Sequence, residues 1–244
     1  MRITRRATRT ATPPVRLFVG RQWGRTVSIE LDNFIASLSG DLQPLCDLAS
    51  RLRTGGMAIT DDGVALSHRP HVAPQAYAMR LYVPLSAATT TRYQEIHGLR
   101  LSPHYLRILE KLNGAHVFEF SLFGLPPSMA NDPPLLNRSA AQPYDVATAN
   151  QFWRLEYSVP REWFHFGGGP YSFDENVGYF LDEDGTIYCS RKNGEKLWSW
   201  NSFRNFLSDE VGRAEAKYPE HEAFMAEAIR KCTPKPWWKR WLTR

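Results

Sequence analysis

The chain has 244 residues, enough for one domain to bury a sizeable core without disulfide or metal support. Hydrophobic residues make up 43% of the chain and charged residues 23%, which excludes the disordered, collagen-like and disulfide-rich classes. No apolar run approaches the ~20 residues of a membrane-spanning helix, and the three widely spaced cysteines, Cys46, Cys189 and Cys232, are typical of a reducing compartment such as the cytoplasm.

The positive charge is concentrated at the two ends of the chain. There are 30 Lys and Arg against 25 Asp and Glu, but residues 1–25 and 230–244 together hold 13 of the basic residues and no acid. Residues 26–229 therefore carry 17 basic and 25 acidic side chains, a net charge of −8. An acidic body can serve solubility alone, or it can attract a basic partner and speed its association.

The first hundred residues predict short helices and a hairpin. Apolar residues at helical spacing predict helices over 31–38 and 41–53. Asp61-Asp62-Gly63 predicts a hairpin turn in which the glycine takes the left-handed conformation. The other predicted elements are hairpin strands over 57–60 and 64–66, a strand over 77–83, and a helix over 86–97 that packs Tyr93 and Ile96.

A helix that begins at Pro103 is the most strongly marked element. Ser102 is a good N-cap, and Pro103 suits the first helical position because its missing N–H would have no partner there. An Asn113-Gly114 pair predicts a left-handed helix end. The apolar stripe of this helix consists of Tyr105, Leu106, Leu109 and Leu112.

The remaining sequence predicts a meander of strands with further helices. Asp145 can cap a helix that packs Val146, Ala149 and Trp153. Turns are predicted at Gly167-Gly168-Gly169 and at Asp184-Gly185, and an irregular stretch is predicted over 126–142. The predicted strands span 117–123, 162–166, 177–181, 186–190 and 197–200, and the predicted helices span 202–207 and 219–231. This order predicts an α+β fold with a mostly antiparallel sheet packed against helices.

Motifs for catalysis and metal binding are missing from the sequence. His68 and His71 lie close together but have no third ligand nearby. A calcium loop starting at Asp182 would need a carboxylate at its twelfth position, where Asn193 stands. The glycine run lacks the Lys-Ser/Thr that follows in a phosphate-binding loop. We therefore expect no catalytic residue, no metal, no cofactor and no small-molecule substrate.

Two stretches of the chain, residues 101–114, LSPHYLRILEKLNG, and residues 118–124, FEFSLFG, form a motif pair. They resemble the signature of the SUKH superfamily, which includes the yeast cell-wall-assembly regulator, the Syd protein and many bacterial toxin-immunity proteins. Similarity continues downstream, so that residues 80–212 match best. The resemblance assigns a scaffold role to Pro103, Tyr105, Leu109, Asn113, Gly114 and Gly124.

The resemblance implies a single SUKH-like domain over 31–212. It leaves a flexible basic extension over 1–30, and a C-terminal helix with a basic, Trp-rich tail over 213–244. The implied function is a protein-binding module of the bacterial cytoplasm, an immunity protein that neutralises a cognate toxin by direct binding. A basic toxin domain, such as a nuclease, would complement the acidic body.

The candidate partner-binding residues are acids in predicted turns and two aromatic residues. A sheet would present the turn acids together, and an aromatic contact would hold the complex once formed. The acids are Asp174, Glu175, Asp182, Glu183 and Asp184, and the aromatic residues are Trp153 and Tyr171.

Two other functions stay open at the level of sequence. Members outside toxin loci act as regulators or scaffolds, and this chain could do the same. The basic ends could instead bind a membrane surface or nucleic acid, since residues 236–242, PWWKRWL, alternate aromatic and basic side chains. That tail could equally dock on the domain or stay disordered.

Overall fold

A computed structural model describes residues 16–22, 25–60, 62–73, 75–126, 143–172 and 174–232. Within these residues the chain forms six helices and eleven strands. The helices are α1 (Leu31–Ser37), α2 (Gln43–Leu52), α3 (Ala87–His97), α4 (Pro103–Leu109), α5 (Val146–Gln151) and α6 (Phe203–Cys232). The strands are β1 (Arg16–Gln22), β2 (Arg25–Glu30), β3 (Met57–Thr60), β4 (Gly63–His68), β5 (Tyr77–Tyr82), β6 (Ala115–Val117), β7 (Phe120–Leu122), β8 (Phe164–Pro170), β9 (Asn176–Leu181), β10 (Ile187–Ser190) and β11 (Lys196–Trp200).

Strands β3 to β11 form one antiparallel sheet in which every strand pairs with its neighbour in the chain. The order from edge to edge is β11-β10-β9-β8-β7-β6-β5-β4-β3. Short connections between successive strands favour antiparallel pairing, and the longer connections carry α3, α4 and α5. The α+β fold with a mostly antiparallel sheet is confirmed.

Helices cover both faces of the central strands. Phe166 on β8 contacts the rings of Tyr105 on α4 and of Phe203 and Phe206 on α6. His165 points to the opposite face, where the Asn150 side chain of α5 bonds its backbone. The alternation of a strand thus divides the core into two layers.

At two places where the sequence predicts a glycine-dependent turn, the structure requires glycine for a different reason. Gly63 pairs with Thr60 at the first hairpin but does not have a positive φ. A Cβ at Gly63 would lie 2.0 Å from the carbonyl oxygen of Leu81, so close strand contact requires glycine here. The predicted turn at Gly167–Gly169 is instead part of β8, where a Cβ at Gly167 would lie 2.7 Å from the Ser121 carbonyl oxygen.

Three other elements differ from their predictions. The single strand expected over 117–123 is a tight hairpin of β6 and β7, with Phe118 at φ 51° in its turn. Ile96, expected in the core, is 58% exposed. The helices expected over 202–207 and 219–231 are one continuous helix, α6, which contains Pro219, so the boundary placed at residue 212 falls inside a helix.

The stretch interpreted as an N-terminal extension also contains structure. Its residues 16–22 and 25–30 form the antiparallel hairpin of β1 and β2, and β1 approaches β3 at one edge of the large sheet. Residues 1–15, nearly all of the irregular stretch over 126–142, and the Trp-rich tail over 233–244 lie outside the described residues.

Leu109→Ala tests the packing of α4. The Leu109 side chain is 4% exposed in the core, so its truncation should lower the free energy of unfolding by about 2–5 kcal/mol in urea titrations. Leu106→Ala is the matched control, because Leu106 is only partly buried on the same helix and should cost less. Equal losses for the two variants would show that the buried face of α4 is assigned incorrectly.

Candidate functional site

Helix α4 is fastened to the sheet by the hydroxyl of Tyr105. This side chain is fully buried, and its hydroxyl donates a hydrogen bond to the Phe123 carbonyl and lies 3.3 Å from the Phe166 carbonyl. Its ring packs against Phe164, Phe166 and Phe203. One side chain therefore links α4, β8, α6 and the segment after β7.

Asn113, which lies just before β6, also fastens the segment that follows β7. Its Oδ1 accepts a hydrogen bond from the Leu125 N–H at 2.8 Å, and its Nδ2 donates one to the Leu125 carbonyl at 3.0 Å. Gly114 has φ +84°, and a Cβ at Gly124 would lie 2.3 Å from the Asn113 carbonyl oxygen. Among the predicted scaffold residues, Tyr105 and Asn113 thus join main-chain segments, and Gly114 and Gly124 allow the close approach of those segments.

The structure separates the predicted turn acids into two groups. Asp174 and Glu175 precede β9, whereas Asp182, Glu183 and Asp184 follow it. A six-residue strand spans roughly 20 Å, so the expectation that a sheet would present all five acids together is wrong. Of the second group, Asp182 and Glu183 line a cleft.

Several of these acids are engaged within the chain. Asp182 accepts hydrogen bonds from the Thr186 N–H at 2.8 Å and the Tyr188 hydroxyl at 3.3 Å, and so holds the β9–β10 turn. Glu175 pairs with Arg191 at 3.1 Å, and Asp174 accepts a bond from the Ser172 hydroxyl. Glu183 and Asp184 are exposed.

The two predicted aromatic residues lie far from each other in the fold. Trp153 is half-buried in a 3₁₀ turn after α5, against Phe123. Tyr171 lies at the β8–β9 turn, where the Arg191 guanidinium stacks 4.7 Å from its ring centre. Neither aromatic residue contacts the side chains of Asp182, Glu183 or Asp184.

A cleft of about 450 Å³, here called the charged cleft, opens between the α3–α4 connection, the 3₁₀ turn after α5 and the ends of β8 and β9. Both signs of charge line it. Its basic side chains are Arg100, Arg154 and Arg161, and its acidic side chains are Glu162, Asp182 and Glu183. The cleft therefore favours a ligand surface that carries both charges, rather than the uniformly basic surface that an acidic site would select.

Arg154 is the most constrained of these cations. Its Nη2 donates to the Pro160 carbonyl at 2.8 Å, while its Nε is buried without a hydrogen-bond partner among the described residues. Burial lowers the pKa of Arg154, and Arg161 adds to that effect while Glu162 opposes it. A carboxylate from a bound protein could pair with this guanidinium.

Trp163 forms a rigid aromatic wall of the cleft. Its ring stacks on Tyr188 with centres 4.2 Å apart and an interplanar angle of 6°. The Lys196 ammonium lies 4.6 Å from both ring centres. The attraction between a cation and a ring face fixes this edge of the cleft before any ligand arrives.

An apolar rim, defined as Phe152 and Leu155, lies on the same 3₁₀ turn as Arg154, which lines the cleft. These side chains are 63% and 77% exposed, and they flank Trp153 and Arg154 in the chain. Ile96 lies on the adjoining end of α3, which the Gln151 side chain joins through the His97 carbonyl. Exposed large apolar side chains gathered beside a charged cleft are typical of protein-binding surfaces.

The model of the SMI1 / KNR4 family (SUKH-1) matches residues 84–209 of the chain. The match covers more than half of the 244 residues. The chain belongs to the SUKH-1 family. No curated protein matches it. The SUKH-1 match includes α4 and its fastenings, the charged cleft and the apolar rim, whereas β3, β4 and β5 of the same sheet precede it.

Within the described residues, no group of three or more His, Cys, Asp or Glu side chains could hold a metal ion. Of the helices in that part of the chain, none combines the length and hydropathy that a bilayer span requires. Cys46 and Cys189 are free thiols.

Sequence reasoning missed Arg100, Arg154 and the apolar rim. Phe152, Trp153 and Leu155 look like core residues in the sequence, but a 3₁₀ turn spaces side chains about 120° apart. Trp153 packs inward, so Phe152 and Leu155 face solvent. Only the turn geometry, which the sequence left unspecified, could have identified them.

His165 makes the stability of the domain depend on pH. It is buried between α5 and the sheet, stacked on Phe180, and its Nε2 has no partner among the described residues. Burial lowers its pKa to about 4. The unfolded chain takes up a proton near pH 6.5, whereas the folded protein does not until about pH 4. Stability present above pH 6.5 is therefore lost as the pH falls between these values.

A His165→Phe variant should lack this dependence, because phenylalanine binds no proton. The difference in unfolding free energy between wild type and variant, measured from pH 7 to pH 4, should change by about 1.4 kcal/mol per pH unit in the lower part of that range. Glu210, whose pKa burial raises, titrates in both proteins and cancels in the difference. A constant difference would mean that His165 takes up its proton at the same pH in the folded and the unfolded chain.

Proposed function

We propose that this protein is an immunity protein that neutralises a cognate toxin by direct binding, and that the toxin covers the charged cleft and the apolar rim. The observation that carries the proposal is the exposure of Phe152 and Leu155 beside a cleft with arginine and carboxylate walls. Binding energy in protein interfaces is concentrated in aromatic and arginine anchors surrounded by a polar rim.

Charge supports a toxin domain that is basic overall, such as a nuclease. Residues 26–229 have a net charge of −8, which would steer a basic partner toward the body of the protein. At close range Glu162 and Glu183 would pair with cations of the toxin, and Arg100 and Arg154 with its carboxylates. Pairing of both signs would fix the orientation of the complex.

The proposed mechanism is occlusion without turnover. SUKH-1 domains are typically non-catalytic, and the signature residues of this chain serve as scaffold. The free thiols Cys46 and Cys189 support action in the reducing cytoplasm of the cell that makes the toxin. Neutralisation would then need only a tight complex that blocks the toxin's active surface.

Phe152→Ser combined with Leu155→Ser tests the apolar rim. The partner is captured from lysate of the native host on the immobilised protein, identified, and titrated by calorimetry. Loss of two exposed anchors should raise Kd at least tenfold, which corresponds to 1.4 kcal/mol. Met57→Ser is the matched control, because Met57 is an exposed apolar residue on β3 at the far edge of the sheet. Equal Kd values for all three proteins would exclude the rim from the interface.

Glu162→Lys combined with Glu183→Lys tests the electrostatic part. Both carboxylates line the cleft and neither makes a fold-holding contact of the kind seen at Asp182. Association with the captured partner should slow, and the rate should depend less on salt. Asp47→Lys, at an exposed position of α2, is the control. An acidic partner, or rates indifferent to these reversals, would contradict a basic toxin.

A further inference from the structure

The two edge strands of the large sheet, β3 and β11, differ in their neighbours. At one edge β3 is approached by β1 of the N-terminal hairpin. At the other edge β11 pairs with β10 and with no other strand of the described chain. A sheet edge without a neighbour presents main-chain N–H and C=O groups that can pair with another chain.

The backbone pattern shows which residue of β11 faces outward. The Asp182 N–H donates to the Thr186 carbonyl, which fixes the alternation of bonded pairs between β9 and β10. Ile187 and Cys189 therefore direct their main-chain groups to Trp200 and Trp198, their partners on β11. Ser199, between the two tryptophans, directs its N–H and C=O to the open edge.

We propose that two copies of this chain pair antiparallel through β11, about a two-fold axis at Ser199. In this register Ser199 of one copy lies opposite Ser199 of the other, and the two exchange both main-chain hydrogen bonds. Trp198 of each copy then lies opposite Trp200 of the other. The two sheets join into one continuous sheet.

Charge on the helix side of β11 is self-complementary under this two-fold. The Arg213 guanidinium lies 3.7 Å from the ring centre of Trp198 and pairs through Nη1 with the Glu210 carboxylate, so its other N–H groups are the donors at that end of the strand. The Trp200 indole N–H donates to the Asp209 carboxylate at 2.7 Å, so the other end is anionic. Placing Trp198 of one copy against Trp200 of the other brings each Arg213 towards Asp209 of the other copy, where the guanidinium can join that carboxylate as well as its own Glu210.

A trough at the same place has room for the second copy. Its volume is about 480 Å³, and its walls include Thr186, Ser199, Trp200, Asn201, Asn205 and Asp209. Trp198 is only partly buried, and its indole N–H bonds to no described residue. In the pair this indole comes to the trough of the other copy, where amide and carboxylate oxygens can accept its hydrogen bond.

Sedimentation equilibrium of the full chain tests the pairing. Wild type should sediment with twice the 28.0 kDa of one chain at micromolar concentrations. Ser199→Pro removes the outward N–H without removing a bond to β10, and should give a monomer. Ser199→Thr keeps the N–H and should remain a dimer. A monomeric wild type, or a dimer that survives Ser199→Pro, overturns the proposal.

A crosslink keeps the test valid if the proline variant does not fold. Bonded antiparallel partners have Cα atoms about 5.5 Å apart, within disulfide range, so Ser199→Cys should oxidise rapidly to a covalent dimer on non-reducing gels. Asn193→Cys is an equally exposed control in the β10–β11 turn, remote from the two-fold. Crosslinking no faster at position 199 than at position 193 would contradict the pairing of two copies. It would favour pairing of the β11 edge with a strand of another protein.

Discussion

The buried hydroxyl of Tyr105 and the amide of Asn113 determine where the rest of the structure lies. Both are polar groups with main-chain partners, one to the carbonyls of Phe123 and Phe166 and the other to both main-chain groups of Leu125. A buried carbonyl or N–H left without a partner costs more than a hydrogen bond gains, so these contacts are obligatory. They fix α4 and the segment after β7 against β8, and one wall of the charged cleft is the chain that leads into α4.

This arrangement separates the residues that stabilise the domain from those proposed to bind. The fastening of α4 rests on Tyr105 and Asn113, whereas the exposed rim and the cleft lie on the 3₁₀ turn after α5 and on the strand ends. Binding residues on the scaffold can vary without loss of the fold, because they carry little of the buried contact. Family membership therefore supports protein binding in general, and the cleft and rim support a particular surface.

The sequence predicted correctly the elements whose conformation depends only on neighbouring residues. The helix at Pro103, the Asp145 cap and the turn at Asp184-Gly185, with Gly185 at φ +87°, need only neighbouring residues. It failed where the position of a strand distant in the sequence determines which residue is needed or which side chains meet. Gly167 is glycine because β7 passes close by, and the acids around β9 are separated because a strand runs between them. The rim was missed because the direction of Phe152 depends on a turn type that composition does not fix.

Replacement of the Tyr105 hydroxyl tests this account most directly. Tyr105→Phe keeps the ring in its aromatic cluster and leaves the bonded carbonyl of Phe123 without its donor. The free energy of unfolding in urea should fall by about 1–3 kcal/mol. Tyr157→Phe, whose hydroxyl bonds to no described residue, should change it by less than about 0.5 kcal/mol. Equal effects of the two substitutions would contradict the claim that the Tyr105 hydroxyl holds α4 on the sheet.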